Sequence, residues 1–341
     1  MSNRLEGVKV LELASFYTAP FCTQLLAMLG AEVIKIEPPS GDPARIFEPI
    51  YVTMNRGKKS LFLNLKSEED RKKFFELVKD TDVIVEGYRP GVAKRLGIDY
   101  ESVCKVNPSI IYCSISAFGQ KSKLRTLPAH DINILALAGI LEVSGFGKPR
   151  EPNVQLADFS SSMFATVLIL AALIERNKSG KGRYIDISMF RSAIFAIPLH
   201  STPLINGMDI LQSFSSNPAY GIYRTSDGYI TLGIIAEEHF WRRLCEALEL
   251  DDKISLLESF EKYEDLKNLI QKKLENMTTQ KVLDVLLKAD VPVAEVKSLK
   301  NVEEIGEIVG EKLVEEVEFH GRKYKLIRPP FDAPTLTPPG D

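Results

Sequence analysis

Short β-branched runs alternate with helix-forming stretches through the first 190 residues of this chain, and that alternation admits few folds. The strand candidates are Val8–Leu13, Val33–Ile36, Leu61–Leu63, Asp82–Val85 and Ile110–Ile115. Helical composition fills Pro20–Gly30, Ser67–Lys79 and Val92–Lys105 between them. A β-α-β-α order predicts a Rossmann-like parallel sheet covered by helices on both faces. Such a sheet takes its ligands at the carboxyl ends of its strands. No G-x-G-x-x-G follows the first strand, and no G-x-x-x-x-G-K-[ST] occurs, so dinucleotide and nucleotide-triphosphate chemistry lose their support.

Beyond the alternating region, a helix is expected from Ser160 to Asn177, stopped at Ser179-Gly180-Lys181-Gly182, with a strand at Arg183–Met189. Pro198, Pro203 and Pro218 then mark a linker or long crossing segment. A turn at Ser226-Asp227-Gly228 feeds a strand and opens a second unit. Its charged helices run from Glu238 to Lys288, and another strand lies near Val293–Lys297. Val314–Ile327 alternates around His320-Gly321-Arg322, the pattern of a hairpin. At 341 residues the chain is long for one core, so the fold class is α/β: a parallel-sheet large domain plus a smaller α+β domain.

Net charge is −3, with Lys and Arg interspersed among Glu and Asp, which leaves no basic field for nucleic acid. Met1-Ser2-Asn3-Arg4-Leu5 lacks a signal peptide's apolar core. The longest apolar run, Met163–Ile174, is 12 residues, against about 20 for a membrane span. A cytoplasmic protein with no membrane partner is expected. Cys22, Cys104, Cys113 and Cys245 have no ligand spacing, so neither a metal site nor a disulfide framework is expected.

Two helix openings carry candidate chemistry. His130-Asp131 precedes apolar residues at helical spacing, and Asp158 precedes the long apolar helix. A base at one helix mouth and a carboxylate at another form a possible two-base proton-transfer pair. Read alone, an Asp at a helix start is an N-cap, and a lone His is a structural or surface residue.

The order of several segments resembles the family III CoA-transferase superfamily across nearly the whole chain. These are Leu5–Glu12, Leu29–Glu37, Asn55–Ser60, Asp82–Val92, Arg95-Leu96-Gly97 and Ser179–Gly182. Within it, His130-Asp131-Ile132-Asn133 is similar to the α-methylacyl-CoA racemase branch, where transferases tend to carry Tyr before the Asp. The resemblance implies Asp158 as the central carboxylate and Glu237 as a support that orients His130. It implies CoA contacts at Leu63, Asn64, Leu65, Lys66, Gly87, Tyr88, Arg89, Arg95, Ala129, Asp131, Ile132, Asn133 and Ile134. Arg89 and Arg95 suit phosphate because a guanidinium binds its oxygens bidentately. The implied architecture is a large domain of residues 1–190 completed by 325–341, a linker at 191–221, a small domain at 222–300, a return linker at 301–324, and an interlocked homodimer. No separate cofactor is implied, since CoA is part of the substrate.

The expected activity is inversion of the α-carbon of 2-methylacyl-CoA, with His130 and Asp158 as the two acid/bases and helix N–H groups holding the enolate. The alternatives are a CoA-transferase acting through an Asp158 acyl intermediate and a non-catalytic acyl-CoA-binding protein. The chain departs from the racemase pattern at Ala129, at Pro38, where a basic residue is absent, and at Ser160-Ser161-Ser162, where glycines are usual. A glycine-rich transferase loop is not evident around Ser215–Pro218.

Overall fold

Six strands form one parallel sheet: β1 (Lys9–Leu13), β2 (Glu32–Glu37), β3 (Lys58–Phe62), β4 (Val83–Glu86), β5 (Ile111–Ser116) and β6 (Arg183–Ser188). Their spatial order is β3-β2-β1-β4-β5-β6, so the winding direction reverses between β1 and β4. This computed structural model describes residues 4–145, 147–208, 216–251 and 253–340. Residues 209–215 of the expected linker, with Ser215 of the sought glycine-rich loop, lie outside the described residues.

The helices of this unit are α1 (Thr18–Met28), α2 (Glu48–Asn55), α3 (Glu68–Val78), α4 (Val92–Leu96), α5 (Tyr100–Cys104), α6 (Asp131–Leu137), α7 (Ile140–Ser144), α8 (Leu156–Ser179) and α9 (Met189–Phe195). Successive strand residues face opposite ways, so the sheet builds two cores. Val10, Val33, Val85, Cys113 and Ile185 pack with residues of α1, α6 and α8 on one face. Leu11, Leu13, Ile84 and Tyr112 pack with Phe74 and Val103 on the other.

Three helix boundaries differ from expectation. Val92–Lys105 divides at Gly97, whose φ of 71° is left-handed and ends α4. The helix opened by His130 stops before Gly139, at φ 76°, and restarts as α7. The long apolar helix begins at Leu156 rather than Ser160, which puts Asp158 inside its first turn. The 3-10 turn Pro43–Ile46 and α2 were not anticipated.

The chain divides into two compact units, residues 1–198 with 312–341, and residues 199–311. In the second, Tyr220–Arg224, Tyr229–Gly233 and Val293–Glu295 form an antiparallel sheet. Its helices surround Trp241, which is fully buried and donates its indole N–H to Ile254 O at 2.8 Å. The hairpin Val314–Phe319 and Arg322–Ile327 belongs to the first unit and turns through His320 and Gly321, both at positive φ. That geometry is the type I′ turn the strands' twist favours. Among the described residues, α8 is long and apolar enough to cross a bilayer by composition, yet half of that stretch is buried against its own unit.

Candidate active site

The winding reversal places the β1–α1 turn, residues 14–17, at the sheet's crevice, where α/β folds bind ligands. A cavity of ≈ 230 Å³ opens beside it, lined by Ala14 and Ser15 of the turn, Pro38 and Pro39 after β2, and Leu63–Lys66 after β3. Tyr88 and Leu96 complete the wall. Five of the expected CoA contacts, Leu63, Asn64, Leu65, Lys66 and Tyr88, therefore share one crevice. Gly87 sits against the turn: a Cβ there would stand 3.1 Å from Ala14 Cβ. Arg89 instead lines a neighbouring cavity with Glu86, Tyr100, Tyr112 and Tyr184. Arg95 is exposed on α4, its guanidinium next to Gly91.

The turn itself is held from below. Phe16 adopts φ 65°, a left-handed conformation that costs a bulky residue about 1–3 kcal/mol. Lys35 Nζ donates to Ala14 O at 2.7 Å, and Lys58 Nζ donates to Pro20 O at 2.8 Å. Both ammonium groups also contact the buried Glu12 carboxylate, at 2.5 and 2.7 Å. One ionic cluster thus anchors the chain on either side of the turn.

Asp158 lies across this turn. Thr18, the first residue of α1, donates its hydroxyl to Asp158 Oδ1, while Oδ2 accepts no hydrogen bond among the described residues. Burial lifts the Asp158 carboxyl to about 6; the Thr18 hydrogen bond and the attraction of His130 pull it down, and the charge of Asp131 pushes it up. Burial and the charges of Asp158 and Asp131 raise the Tyr17 hydroxyl as well. The N-termini of α1, α6 and α8 therefore meet around one half-desolvated carboxylate.

Asp131 performs the capping that Asp158 does not. Its Oδ1 accepts the amide of Ala157 at 2.7 Å and of Asp158 at 3.1 Å. The Leu156 amide goes to Val154 O and that of Phe159 to Gln155 O. The first-turn donators of α8 are thereby occupied, which corrects the expectation that they hold an enolate. The capping of one helix start by the Asp131 carboxylate of another was not readable from a separation of 27 residues.

His130 is exposed at the N-cap position of α6, and its amide donates to Asn133 Oδ1 at 3.1 Å. Ala129 packs at the edge of the core, Ile132 is exposed, and Ile134 is fully buried. None of residues 129–134 lines the crevice. Glu237 lies in the second unit, where its carboxylate accepts the amides of Ile235 and Ala236 at 2.9 and 3.0 Å. Those backbone hydrogen bonds hold its carboxyl below the usual carboxylate range.

Ser160, Ser161 and Ser162 are all buried and return their hydroxyls to helix carbonyls. Ser162 shares its one hydroxyl proton between Asp158 O at 2.7 Å and Thr18 O at 2.6 Å. Ser162 thereby links α8 to α1, while Ser160 and Ser161 stay within α8. Sequence reasoning passed over Ser15, Tyr17 and Thr18; their place directly after the first strand of an α/β pattern was the available signal.

The chain matches the family model for CoA-transferase family III over residues 5–337. It is 34% identical over 310 residues to an acetyl-CoA:oxalate CoA-transferase of Acetobacter aceti, covering 84% of this chain and 79% of that one. It is 31% identical over 336 residues to the succinyl-CoA:glutarate CoA-transferase of Homo sapiens, covering 92% and 76%. Among solved structures, Rv3272 from M. tuberculosis superposes with a TM-score of 0.87 at 26% identity, over 99% of this chain and 97% of that one. A CAIB/BAIF family protein from Brucella suis gives 0.85 at 25% identity, over 96% and 92%.

These relatives overturn the expected racemase. Curated proteins similar over most of the chain are named for moving CoA between acids, so the exchange of an α-proton between His130 and Asp158 is not retained. A match spanning both units and the returning tail, with the same fold in the solved structures, makes this chain a member of CoA-transferase family III.

Proposed function

We propose that the protein transfers CoA from an acyl-CoA donor to a carboxylic acid through covalent intermediates on Asp158. The observation that carries this reading is the Asp158 carboxylate, half-desolvated, held through one oxygen and unpartnered at the other. Asp158 attacks the donor's thioester carbonyl; an O–C bond forms, the C–S bond breaks, and CoA thiolate leaves. The thiolate then attacks the Asp158 carbonyl carbon and expels the donor acid, which leaves Asp158 as a CoA thioester. The acceptor carboxylate attacks that thioester and frees the thiolate, which takes the new acyl group and regenerates Asp158.

The crevice of Leu63–Lys66 and Tyr88 is the proposed seat of CoA. Arg89 and Arg95, exposed nearby in sequence, are proposed phosphate contacts. A homodimer is the proposed assembly. Phe159, Met163, Val167 and Ile174 leave an exposed apolar stripe along α8, joined by Phe195 of α9, and contiguous exposed apolar surface marks an interface. A cytoplasmic location, with no resident cofactor or metal, completes the reading.

The test pairs acetyl-CoA, formyl-CoA and succinyl-CoA with oxalate, glutarate and mesaconate, the substrates in the relatives' names. Formation of the acceptor's CoA thioester is the expected result. Binding of every donor without any transfer would leave only an acyl-CoA-binding protein. The acidity of Asp158 adds a pH signature. Only the carboxylate is nucleophilic, so kcat/KM for the donor should be level well above pH 6 and fall about tenfold per unit well below it. A profile flat from pH 7 to 4.5 would show that the attacking group is not a carboxyl raised to about 6.

A further inference from the structure

The two oxygens of Asp158 are not equivalent. Oδ1 accepts the Thr18 hydroxyl, and Oδ2 accepts nothing among the described residues. Thr18 is itself braced on α8, because Ser162, one helical turn beyond Asp158, donates to Thr18 O at 2.6 Å. The hydroxyl is therefore fixed relative to Asp158 by two links to one helix. Asp131 directs its carboxylate at the backbone amides of α8 and not at the oxygens of Asp158.

Resting on the transferase reading above, we propose that Thr18 is the oxyanion donor for attack on the Asp158 carbonyl carbon, distinct from attack on the substrate's carbonyl. The free oxygen, Oδ2, forms the bond to the acyl carbon in the first step. The oxygen facing Thr18 then becomes the carbonyl oxygen of the mixed anhydride. When CoA thiolate adds to that carbon, the carbonyl electron pair moves onto this oxygen, at the point where the Thr18 hydroxyl is aimed. Collapse returns the pair, breaks the bond to Oδ2 and releases the donor acid. The acceptor's attack on the Asp158 thioester builds charge on the same oxygen, with thiolate as the leaving group. Thr18 therefore serves the two steps at Asp158, while the two steps at substrate carbonyls need other donors. A preorganised donor at a developing oxyanion contributes about 10²–10³-fold where measured for an amide side chain, and a rotatable hydroxyl is placed at the lower end.

The experiment is a single turnover with succinyl-CoA and no acceptor, quenched in acid and read by intact mass and by the mass of the Asp158 peptide. Wild type should pass from succinyl-bearing to CoA-bearing protein and release succinate. In Thr18→Val, CoA loading should slow by about 10- to 100-fold and the succinyl-bearing form should accumulate. Thr18→Ser should restore the wild-type rate to within about threefold, since it returns the donor. The half-saturating succinyl-CoA concentration should stay unchanged, which a general loss of structure would not permit. CoA loading at the wild-type rate in Thr18→Val overturns the proposal, as does an equal slowing of both steps. A wild-type chain that acquires neither group at Asp158 removes the transferase reading and this inference with it, whereas normal wild-type loading with an unaffected valine variant removes the inference alone.

Discussion

Asp158→Asn should lower CoA transfer by about 10⁴-fold or more while CoA binding stays within a few-fold of wild type, as removal of a covalent nucleophile does elsewhere. The asparagine keeps the volume and an oxygen able to accept from Thr18, so the α1–α8 contact survives. It removes the negative charge and the lone pair that attacks. The expected CoA contacts that line the cavity, Leu63–Lys66 and Tyr88, lie after β3 and β4 and not in the substituted helix. Binding measured by calorimetry with CoA alone should therefore separate from turnover. Asp158→Glu makes the complementary point: one added methylene displaces the carboxylate by more than 1 Å, enough for about a 10²-fold loss. Transfer at near-normal rates in either variant would move the covalent intermediate off Asp158.

The parallel sheet was legible because its strands are apolar, short and separated by helical stretches, a pattern only a covered sheet satisfies. Asp158 and the crevice residues Leu63–Lys66 and Tyr88 were reached through family order, and the fold gathers the latter because all lie at carboxyl ends of strands. The reaction was misread at His130. A histidine before Asp131 does not by itself specify proton exchange; the neighbouring Asp131 points its carboxylate at α8, a pairing that only tertiary structure creates. Helix boundaries failed where glycines at 97 and 139 take left-handed φ inside apolar-periodic stretches, since periodicity does not register backbone handedness. Thr18 escaped because its partner is 140 residues away. Glu12, Lys35 and Lys58 were equally silent, since their separations of 23 and 46 residues give no sign that they meet.

Those three are buried together, and Glu12→Gln should destabilise the first unit by about 3 kcal/mol, near the lower end for breaking a buried ion pair. Glu12 faces Lys35 in register across β1 and β2 and accepts Lys35, Lys58 and the Thr23 hydroxyl. Burial alone would raise its carboxyl; the two ammonium groups overcome that and hold it at about 2. The sign follows: a carboxyl lowered on folding contributes stability above its unfolded value near 4.5 and loses it as pH falls toward 2. In the glutamine variant Lys35 keeps Asp42 at 2.8 Å, but Lys58 retains no ionic partner. Burial already brings Lys58 down to about 8 against the pull of Glu12, so without Glu12 it sheds its proton more readily. That release limits the loss to the lower end of the range, and it makes the deficit shrink as pH rises from 6 to 9, where the unfolded chain binds the extra proton. Urea unfolding of the two proteins across that interval reads both effects, and a deficit that is absent or grows with pH would refute the account. Adding Lys58→Met should recover part of the stability, because it removes the stranded cation along with its lost partner. Catalysis should suffer beyond what unfolding explains, since Lys35 holds Ala14 O in the turn and Lys58 holds Pro20 O in the first turn of α1, which together carry Thr18 to Asp158.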